Sequence, residues 1–182
     1  MNVSLFRPPI KNIAPIKNIT LKQVINAIKS DALKDITEKV RAIDNKTERD
    51  EVKCALLPSV TFSGTFKHRR KGVKIEDKLI SLSGHMCVDI DGLSDEELPI
   101  KRELLKKDKH TFALFISPSG HGLKVIIKVP VVNPEQHKQC YMQYGEYLKK
   151  EYELLVDEKA KDITRVTFLC HDPDAYYNYE GE

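Results

Sequence analysis

The sequence predicts a single α+β domain. Hairpin-forming strands and helices alternate along the chain in the order β–β–α–β–β–α–β, which differs from the regular strand–helix alternation of a doubly wound sheet. The chain has 182 residues, of which 41% are hydrophobic and 31% charged, a size and composition typical of one globular domain. A mixed or antiparallel sheet with helices packed on it is therefore expected.

The N-terminal third is predicted to contain an arm and a helical lobe. Residues 1–19 are expected to form a loose arm because their prolines are spaced among lysines and asparagines. Residues 20–56 form a lobe that we expect to pack on the core, although recruitment of a partner remains open. The lobe's helices are expected after a Thr20 cap, over residues 32–43 and, briefly, after a Thr47 cap.

Residues 57–182 are predicted to form the core. Apolar alternation, turn residues and helical periodicity place each of its elements. Strands are expected over 60–66, 85–91, 111–117, 123–129 and 165–170, and helices over 95–107 and 134–152. The short turn at 118–122 predicts that the strands on either side of it form an antiparallel hairpin.

Two aspartates end the strand over 85–91. Side chains alternate faces along a strand, so Asp89 and Asp91 lie on one face while Val88 and Ile90 lie on the other. Paired carboxylates at the end of a buried strand need compensation, and one or two divalent cations would supply it. The alternative is a solvated strand end with two surface acids.

The turn after residue 116 predicts a phosphate site. Gly120 and Gly122 permit close approach of the backbone to a ligand, and their amides could face phosphate oxygens. Ser119 and His121 can donate hydrogen bonds to phosphate, and Lys124 adds a fixed positive charge. The alternative is an ordinary glycine-containing hairpin with an exposed histidine.

Two further segments carry suitable charges. Asp157 and Asp162 are alternative third acids, and Arg165 is suited to bidentate phosphate binding. The turn over 67–72 favours a nucleic-acid backbone as its partner, with a solvated loop as the alternative. Its candidate nucleic-acid-binding side chains are Lys67, Arg69, Arg70 and Lys71.

Taken together, these segments resemble the archaeo-eukaryotic primase–polymerase superfamily. That superfamily has three motifs: Asp-x-Asp, Ser-x-His, and a hydrophobic residue followed by Asp. The matching segments are Asp89–Asp91, Ser119–His121 and Val156–Asp157. The chain is most similar to the VirE N-terminal or primase N-terminal-like branch, which is found in mobile-element and phage proteins ahead of helicase modules. The similarity runs from about residue 20 to the end of the chain. The sequence segments at 57–66 and 162–173 support it further.

The resemblance implies an RRM-like core that is a DNA primase/polymerase-like nucleotidyltransferase. It implies Mg²⁺ or Mn²⁺, nucleoside triphosphates as substrates, a single-stranded DNA template and a helicase module or replication partner. By this resemblance, Asp89, Asp91 and Asp157 are catalytic metal ligands, with Asp162 as the alternative third acid. Ser119 and His121 contact the triphosphate. Because no helicase module follows the core, the chain is also compatible with a fragment of a longer protein.

Two other functions remain open. The first is a non-catalytic module that binds single-stranded nucleic acid for a helicase, with Tyr176, Tyr177 and Tyr179 as candidates for base stacking. The second is a metal-dependent nuclease, because the same acids could activate water.

Composition limits the compartment and the classes of partner. A net charge of +3 does not decide for or against nucleic acid. No apolar stretch approaches the ~20 residues of a membrane-spanning helix, and no secretory signal is recognised, so we expect a cytoplasmic protein without a membrane partner.

Overall fold

Two four-stranded antiparallel sheets and a two-stranded ribbon form the β structure of the chain. The structure is a computed structural model, and it describes residues 2–130 and 133–179. The outer ends of the predicted arm and core, at residue 1 and at 180–182, lie outside the described residues. The strands are β1 (Asn2–Phe6), β2 (Lys17–Thr20), β3 (Ser59–Thr61), β4 (Gly64–Phe66), β5 (Leu79–Leu82), β6 (His85–Asp91), β7 (Thr111–Ile116), β8 (Gly122–Lys128), β9 (Thr167–Phe168) and β10 (Tyr176–Tyr177).

Six α-helices lie in the described part of the chain. They are α1 (Leu21–Lys29), α2 (Lys34–Arg41), α3 (Lys46–Leu56), α4 (Ile75–Lys78), α5 (Glu97–Lys106) and α6 (Pro134–Tyr152). Short 3₁₀ helices precede α2 and follow α6. The α+β class predicted from the sequence is therefore confirmed.

The strand order of each sheet determines where the candidate residues meet. The N-terminal sheet has the order β2-β1-β3-β9, and the central sheet has the order β10-β7-β8-β6. Because β6 and β7 are both antiparallel to β8, they run parallel to each other, with α5 as their connection. The predicted hairpin is β7–β8.

The central sheet is covered on both faces. On β6, Met86, Val88 and Ile90 pack into a hydrophobic cluster with residues of α6. The intervening Cys87 packs against a second cluster, which contains α1 and the N-terminal sheet. The alternation predicted for this strand is therefore confirmed, and it directs the odd-numbered side chains of β6 toward the N-terminal half of the molecule.

Several predicted elements have the predicted caps and bounds. Thr20 caps α1 through a capping box with Gln23, and the buried side chains of α1 join the cluster shared with the central sheet. The long helix α6 covers Pro134–Tyr152, as the sequence predicts, and Asn133 caps it. The helix predicted over 95–107 is α5, but it begins two residues later, at Glu97, and Glu96 precedes it in place of a Ser94 cap. Ser94 and Glu97 still exchange reciprocal hydrogen bonds just before the helix.

The prediction of a loose arm over residues 1–19 is wrong for the part that the structure describes. Residues 2–6 and 17–20 pair as β1 and β2, and β1 also pairs with β3. Val3 and Phe6 are each 1% exposed, so burial of these two side chains fixes the segment. The prolines that suggested an arm all lie between the two strands, at 8, 9 and 15.

Other boundaries also differ from the prediction. Asn45 caps α3 in place of Thr47, because its side chain accepts the backbone hydrogen bond of Glu48. The last predicted strand shortens to β9, which joins the N-terminal sheet. The structure adds α4, β5 and β10, which the sequence analysis did not predict.

No helix among residues 2–130 and 133–179 combines the length and the apolar character needed to cross a membrane.

Candidate functional site

A cleft of about 710 Å³ opens between the central sheet and the N-terminal half of the molecule. One wall is formed by β6, β8 and the turn between β7 and β8, and the other by α3 and the strand β9. The predicted site residues that line the cleft are Arg69, Asp89, Asp91, Ser119, His121, Lys124, Asp157, Asp162 and Arg165. The structure thus brings together residues that are far apart in sequence.

Three carboxylates converge at the floor of this cleft. Asp89 and Asp91 extend from β6, and Asp157 reaches them from the segment after α6. Each offers one oxygen atom, and these atoms all lie within 4.8 Å of one another. Oxygen donors at this separation fit a hard cation such as Mg²⁺ or Mn²⁺, so the residues present suit the expected ion.

Backbone contacts hold Asp157 beside β6. Its amide donates to the Asp89 carbonyl at 2.8 Å, and its own carbonyl accepts from the Tyr141 hydroxyl at 2.7 Å. Tyr141 is fully buried in α6, so the position of this acid depends on the packing of that helix.

Both candidate third acids accept a hydrogen bond within their own segment, and the Asp157 carboxylate accepts one from the Lys159 amide at 3.0 Å. One carboxylate oxygen of Asp162 accepts from the Thr164 amide at 2.7 Å and from the Thr164 hydroxyl at 2.9 Å. Asp162 lines the same cleft but is not part of the three-carboxylate cluster in the described chain. The geometry therefore favours Asp157 over Asp162.

The environment of the cleft changes the pKa of Asp91. Partial loss of hydration at the cleft wall raises the pKa of Asp91, and the charge of Asp157 raises it further. Lys53 and Lys46 act in the opposite direction on the same pKa. Asp50, which also belongs to α3, raises the pKa of Asp91, so this helix acts on the acid with charges of both signs.

Lys124 pairs with the acids. It lies opposite Asp89 in the β6–β8 register, and its ammonium group contacts the Asp89 carboxylate while lying 4.0 Å from that of Asp91. The residue is 8% exposed. Burial lowers the pKa of Lys124 to about 8, and the ion pair favours its charged form. The sequence analysis assigned Lys124 to phosphate; in the structure its contact is with the carboxylates.

The turn between β7 and β8 is closed by its own hydrogen bonds. The Gly120 amide donates to the Ser117 carbonyl at 3.0 Å, so it is not directed at a ligand as expected. Gly122 meets a different requirement, because a Cβ atom there would lie 2.4 Å from the Ile90 carbonyl oxygen. The glycine therefore permits close pairing of β8 with β6 beside the acids.

The two phosphate-binding candidates of the turn remain accessible. The Ser119 hydroxyl lies 3.0 Å from that of Ser117. The His121 side chain is 53% exposed, and its Nδ1 lies 3.5 Å from Asp95. Both line the cleft next to the carboxylates.

A buried acid and a half-buried arginine hydrogen-bond to this turn. Asp172 accepts the Ile116 amide at 2.8 Å and pairs with Arg102 at 2.9 Å. Arg41 of α2 donates to the carbonyls of Ser117 and His171. The segment around His171–Asp172 thus has a structural role close to the site.

The basic residues of the turn over 67–72 have two different environments. Arg69 lines the cleft, but its guanidinium stacks 4.7 Å from the Phe6 ring centroid and donates to the Ile10 carbonyl. Lys67, Arg70 and Lys71 are exposed and do not line the cleft. The turn is therefore partly an anchor for the N-terminal sheet.

The candidate stacking tyrosines are mostly used in packing. Tyr177 is 6% exposed and packs edge-on against Phe112 and Tyr179. Tyr176 packs against the cluster that contains α6. Tyr179 is the exposed member of the three, at 55%.

The sequence analysis missed a set of cations in α3. Lys46, Arg49 and Lys53 recur at helical spacing, and all three line the wall opposite the acids. Their spacing was visible in the sequence, but only the tertiary structure brings α3 to the cleft.

Comparison with known families places the chain in one of them. The family model described as "BT4734-like, N-terminal domain" matches residues 51–177, which run from the middle of α3 to β10. No curated protein and no solved structure gives a significant match to the chain. Because the match covers well over half of the chain, the protein belongs to the BT4734-like N-terminal domain family.

Proposed function

We propose that the domain is a metal-dependent nucleotidyltransferase of the primase–polymerase type that extends a strand on a single-stranded DNA template. One observation carries this proposal: Asp89, Asp91 and Asp157 share a cleft with Ser119 and His121. Phosphoryl and nucleotidyl transfer require this combination of cation-binding acids and phosphate-binding donors in one site.

The topology of the central sheet is compatible with the proposal. We infer that β6–α5–β7–β8–α6 corresponds to most of an RRM-like βαββαβ unit, since β8 lies between the parallel strands β6 and β7. The last strand, β10, pairs with β7, whereas an RRM-like order would place it beside β6. Along that edge of β6 the Asp157 amide donates a hydrogen bond to the Asp89 carbonyl.

In this proposal each side chain of the candidate site has a specific role. Asp89, Asp91 and Asp157 would hold divalent ions, which when bound activate the attacking hydroxyl and stabilise the leaving phosphate. Ser119 and His121 would orient the triphosphate by hydrogen bonds. Lys124 neutralises the acids before the substrate arrives, because its ammonium group contacts Asp89.

A nucleotide-incorporation assay tests the proposal. Single-stranded template, with and without a primer, is supplied with labelled deoxynucleotides or ribonucleotides and with Mg²⁺ or Mn²⁺. We expect metal-dependent strand extension that falls at least about 100-fold in Asp89→Asn. Asp35→Asn, an exposed acid of α2, is the matched control and should retain full activity.

The products separate the proposal from its alternatives. Release of nucleotides from the strand, lost in Asp89→Asn, would identify a nuclease instead. Tight, salt-sensitive and metal-independent binding of single-stranded DNA without extension would identify a binding module. Extension by Asp89→Asn at the wild-type rate would show that the site is misassigned.

A further inference from the structure

The helix α3 presents a basic face to the cleft. Lys46, Arg49 and Lys53 are spaced by three and four residues, so they lie on one side of the helix, and each lines the cleft. We call these three residues the α3 basic face. Among the described residues that line the cleft, lysine and arginine outnumber aspartate, so the cleft as a whole attracts anions.

The contacts of these side chains leave donors available. Arg49 uses Nη1 on the Ile43 carbonyl at 3.3 Å, and no other hydrogen bond of its guanidinium is formed within the described chain. Lys46 has no ion pair among the described residues. A guanidinium has five donors, so Arg49 can bind a phosphate without giving up its present contact.

Lys53 is paired locally. Its ammonium lies 2.5 Å from Asp50 and 5.6 Å from the Phe168 ring centroid. Asp50 also lines the cleft, so a bound anion would compete with Asp50 for Lys53. This competition can be tested, because the two substitutions should have opposite effects. Removing the Asp50 charge should strengthen anion binding, whereas removing the Lys53 charge should weaken it.

The α3 basic face shares the cleft with the acids. Its three cations line the same cavity as Asp89, Asp91 and Asp157, whose carboxylate oxygens lie within 4.8 Å of one another. A ligand between the two walls would thus meet cation-binding oxygens on one side and fixed positive charges on the other. A short polyanion that also ligates a divalent ion is complementary to both walls.

We propose that the α3 basic face binds the polyphosphate of a nucleoside triphosphate. The choice of a triphosphate over a nucleic-acid strand follows from position. The face lines the same cleft as the acids, whereas the exposed cations Lys67, Arg70 and Lys71 lie outside it. The inference rests on the proposed function only in taking the polyphosphate to belong to a nucleotide.

Calorimetric titration tests the inference. The full chain is titrated with inorganic tripolyphosphate, with a nucleoside triphosphate and with single-stranded DNA, each with Mg²⁺. We expect Arg49→Gln and Lys53→Gln each to weaken binding of tripolyphosphate and of the nucleotide by about tenfold. Lys150→Gln is the matched control, because Lys150 is 84% exposed on α6 and should bind as the wild type does.

Asp50→Asn should change the affinity for tripolyphosphate in the opposite direction. We expect it to tighten the binding of tripolyphosphate, since Lys53 loses its competing partner. Thermal unfolding of each variant confirms that it is folded before binding is compared.

Three binding results would overturn the inference. Wild-type protein that binds neither tripolyphosphate nor nucleotide, or α3 variants that bind both as tightly as the wild type, would contradict it. Variants that lose affinity for single-stranded DNA alone would assign the α3 basic face to a strand instead.

The two proposals can fail separately. If strand extension is absent but polyphosphate binding depends on Arg49 and Lys53, the inference stands and the enzymatic function is wrong. If extension proceeds with an unchanged KM for the nucleotide in both variants, the enzymatic function stands and the inference is wrong.

Discussion

Lys124 lies directly opposite Asp89 in the antiparallel pairing of β6 with β8, and the two side chains form an ion pair beside the candidate metal ligands. The side chains are 10% and 17% exposed, so each charge depends on the other for compensation. An ammonium group therefore occupies the position at which the acids need a cation. This relationship makes the stability of the fold and its response to metal depend on the same residue.

Replacement of Lys124 by methionine tests this coupling. Lys124→Met should lower the free energy of unfolding by about 2 kcal/mol, less than for a fully buried pair because Asp89 is open to the cleft. A divalent ion would then replace the missing charge, so Mg²⁺ or Mn²⁺ should raise the melting temperature more in the variant than in the wild type. Equal metal-dependent shifts in both proteins would contradict the account.

The ion pair between Asp172 and Arg102 should be essential for stability. Asp172 is 3% exposed and also accepts the Ile116 amide at the start of the candidate turn. Asp172→Asn should cost about 2–4 kcal/mol in denaturant unfolding, because Arg102 would be left buried without a charged partner. Asp174→Asn, at an exposed neighbouring position, is the control. Equal stabilities for the two variants would remove the structural role from Asp172.

The pairing of β8 with β6 depends on Gly122. A methyl group there would meet the Ile90 carbonyl at 2.4 Å, so Gly122→Ala should separate the strands and cost about 2–3 kcal/mol. Gly72→Ala is a useful contrast, because Gly72 has a φ of +73° and open space around its Cα. That substitution should cost only about 1 kcal/mol through its backbone conformation. Chemical denaturation of both variants distinguishes a steric clash from backbone strain.

Two buried histidines predict a pH dependence of stability. Burial lowers the pKa of His85 and of His137, so the unfolded chain binds protons at a higher pH than the folded chain does. The free energy of unfolding should therefore fall as the pH drops below about 6.5, by at most about 1.4 kcal/mol per pH unit for each histidine. His85→Gln and His137→Gln should each reduce this slope between pH 7.5 and 5.5. An unchanged slope in both variants would assign the pH dependence to other groups.

Local patterns in the sequence predicted the elements that carry the acids. Alternation along β6 correctly placed Asp89 and Asp91 on one face, because a strand with one apolar face has only one register that buries it. The Thr20 cap and the bounds of α6 were also predictable, since capping and helical periodicity involve only neighbouring residues.

Contacts between distant segments could not be predicted in the same way. Burial of Val3 and Phe6 depends on β1 pairing with β3, more than fifty residues away, while the prolines between β1 and β2 suggested an arm. The position of Arg49 opposite the acids depends on how α3 packs beside the central sheet, and no pattern within the helix reports that. The choice between Asp157 and Asp162 depends on which acid the segment after α6 brings to β6. Asp157 is bonded to the Asp89 carbonyl through its amide and joins the carboxylate cluster.

The most direct test compares these two acids in strand extension. Extension rates are measured with saturating Mg²⁺ for the wild type, for Asp157→Asn and for Asp162→Asn. We expect a loss of at least about 100-fold in Asp157→Asn and a rate close to the wild type in Asp162→Asn, because of these two acids only Asp157 joins the carboxylate cluster of the described residues. Full activity in Asp157→Asn would contradict the claim that Asp89, Asp91 and Asp157 form the catalytic metal site.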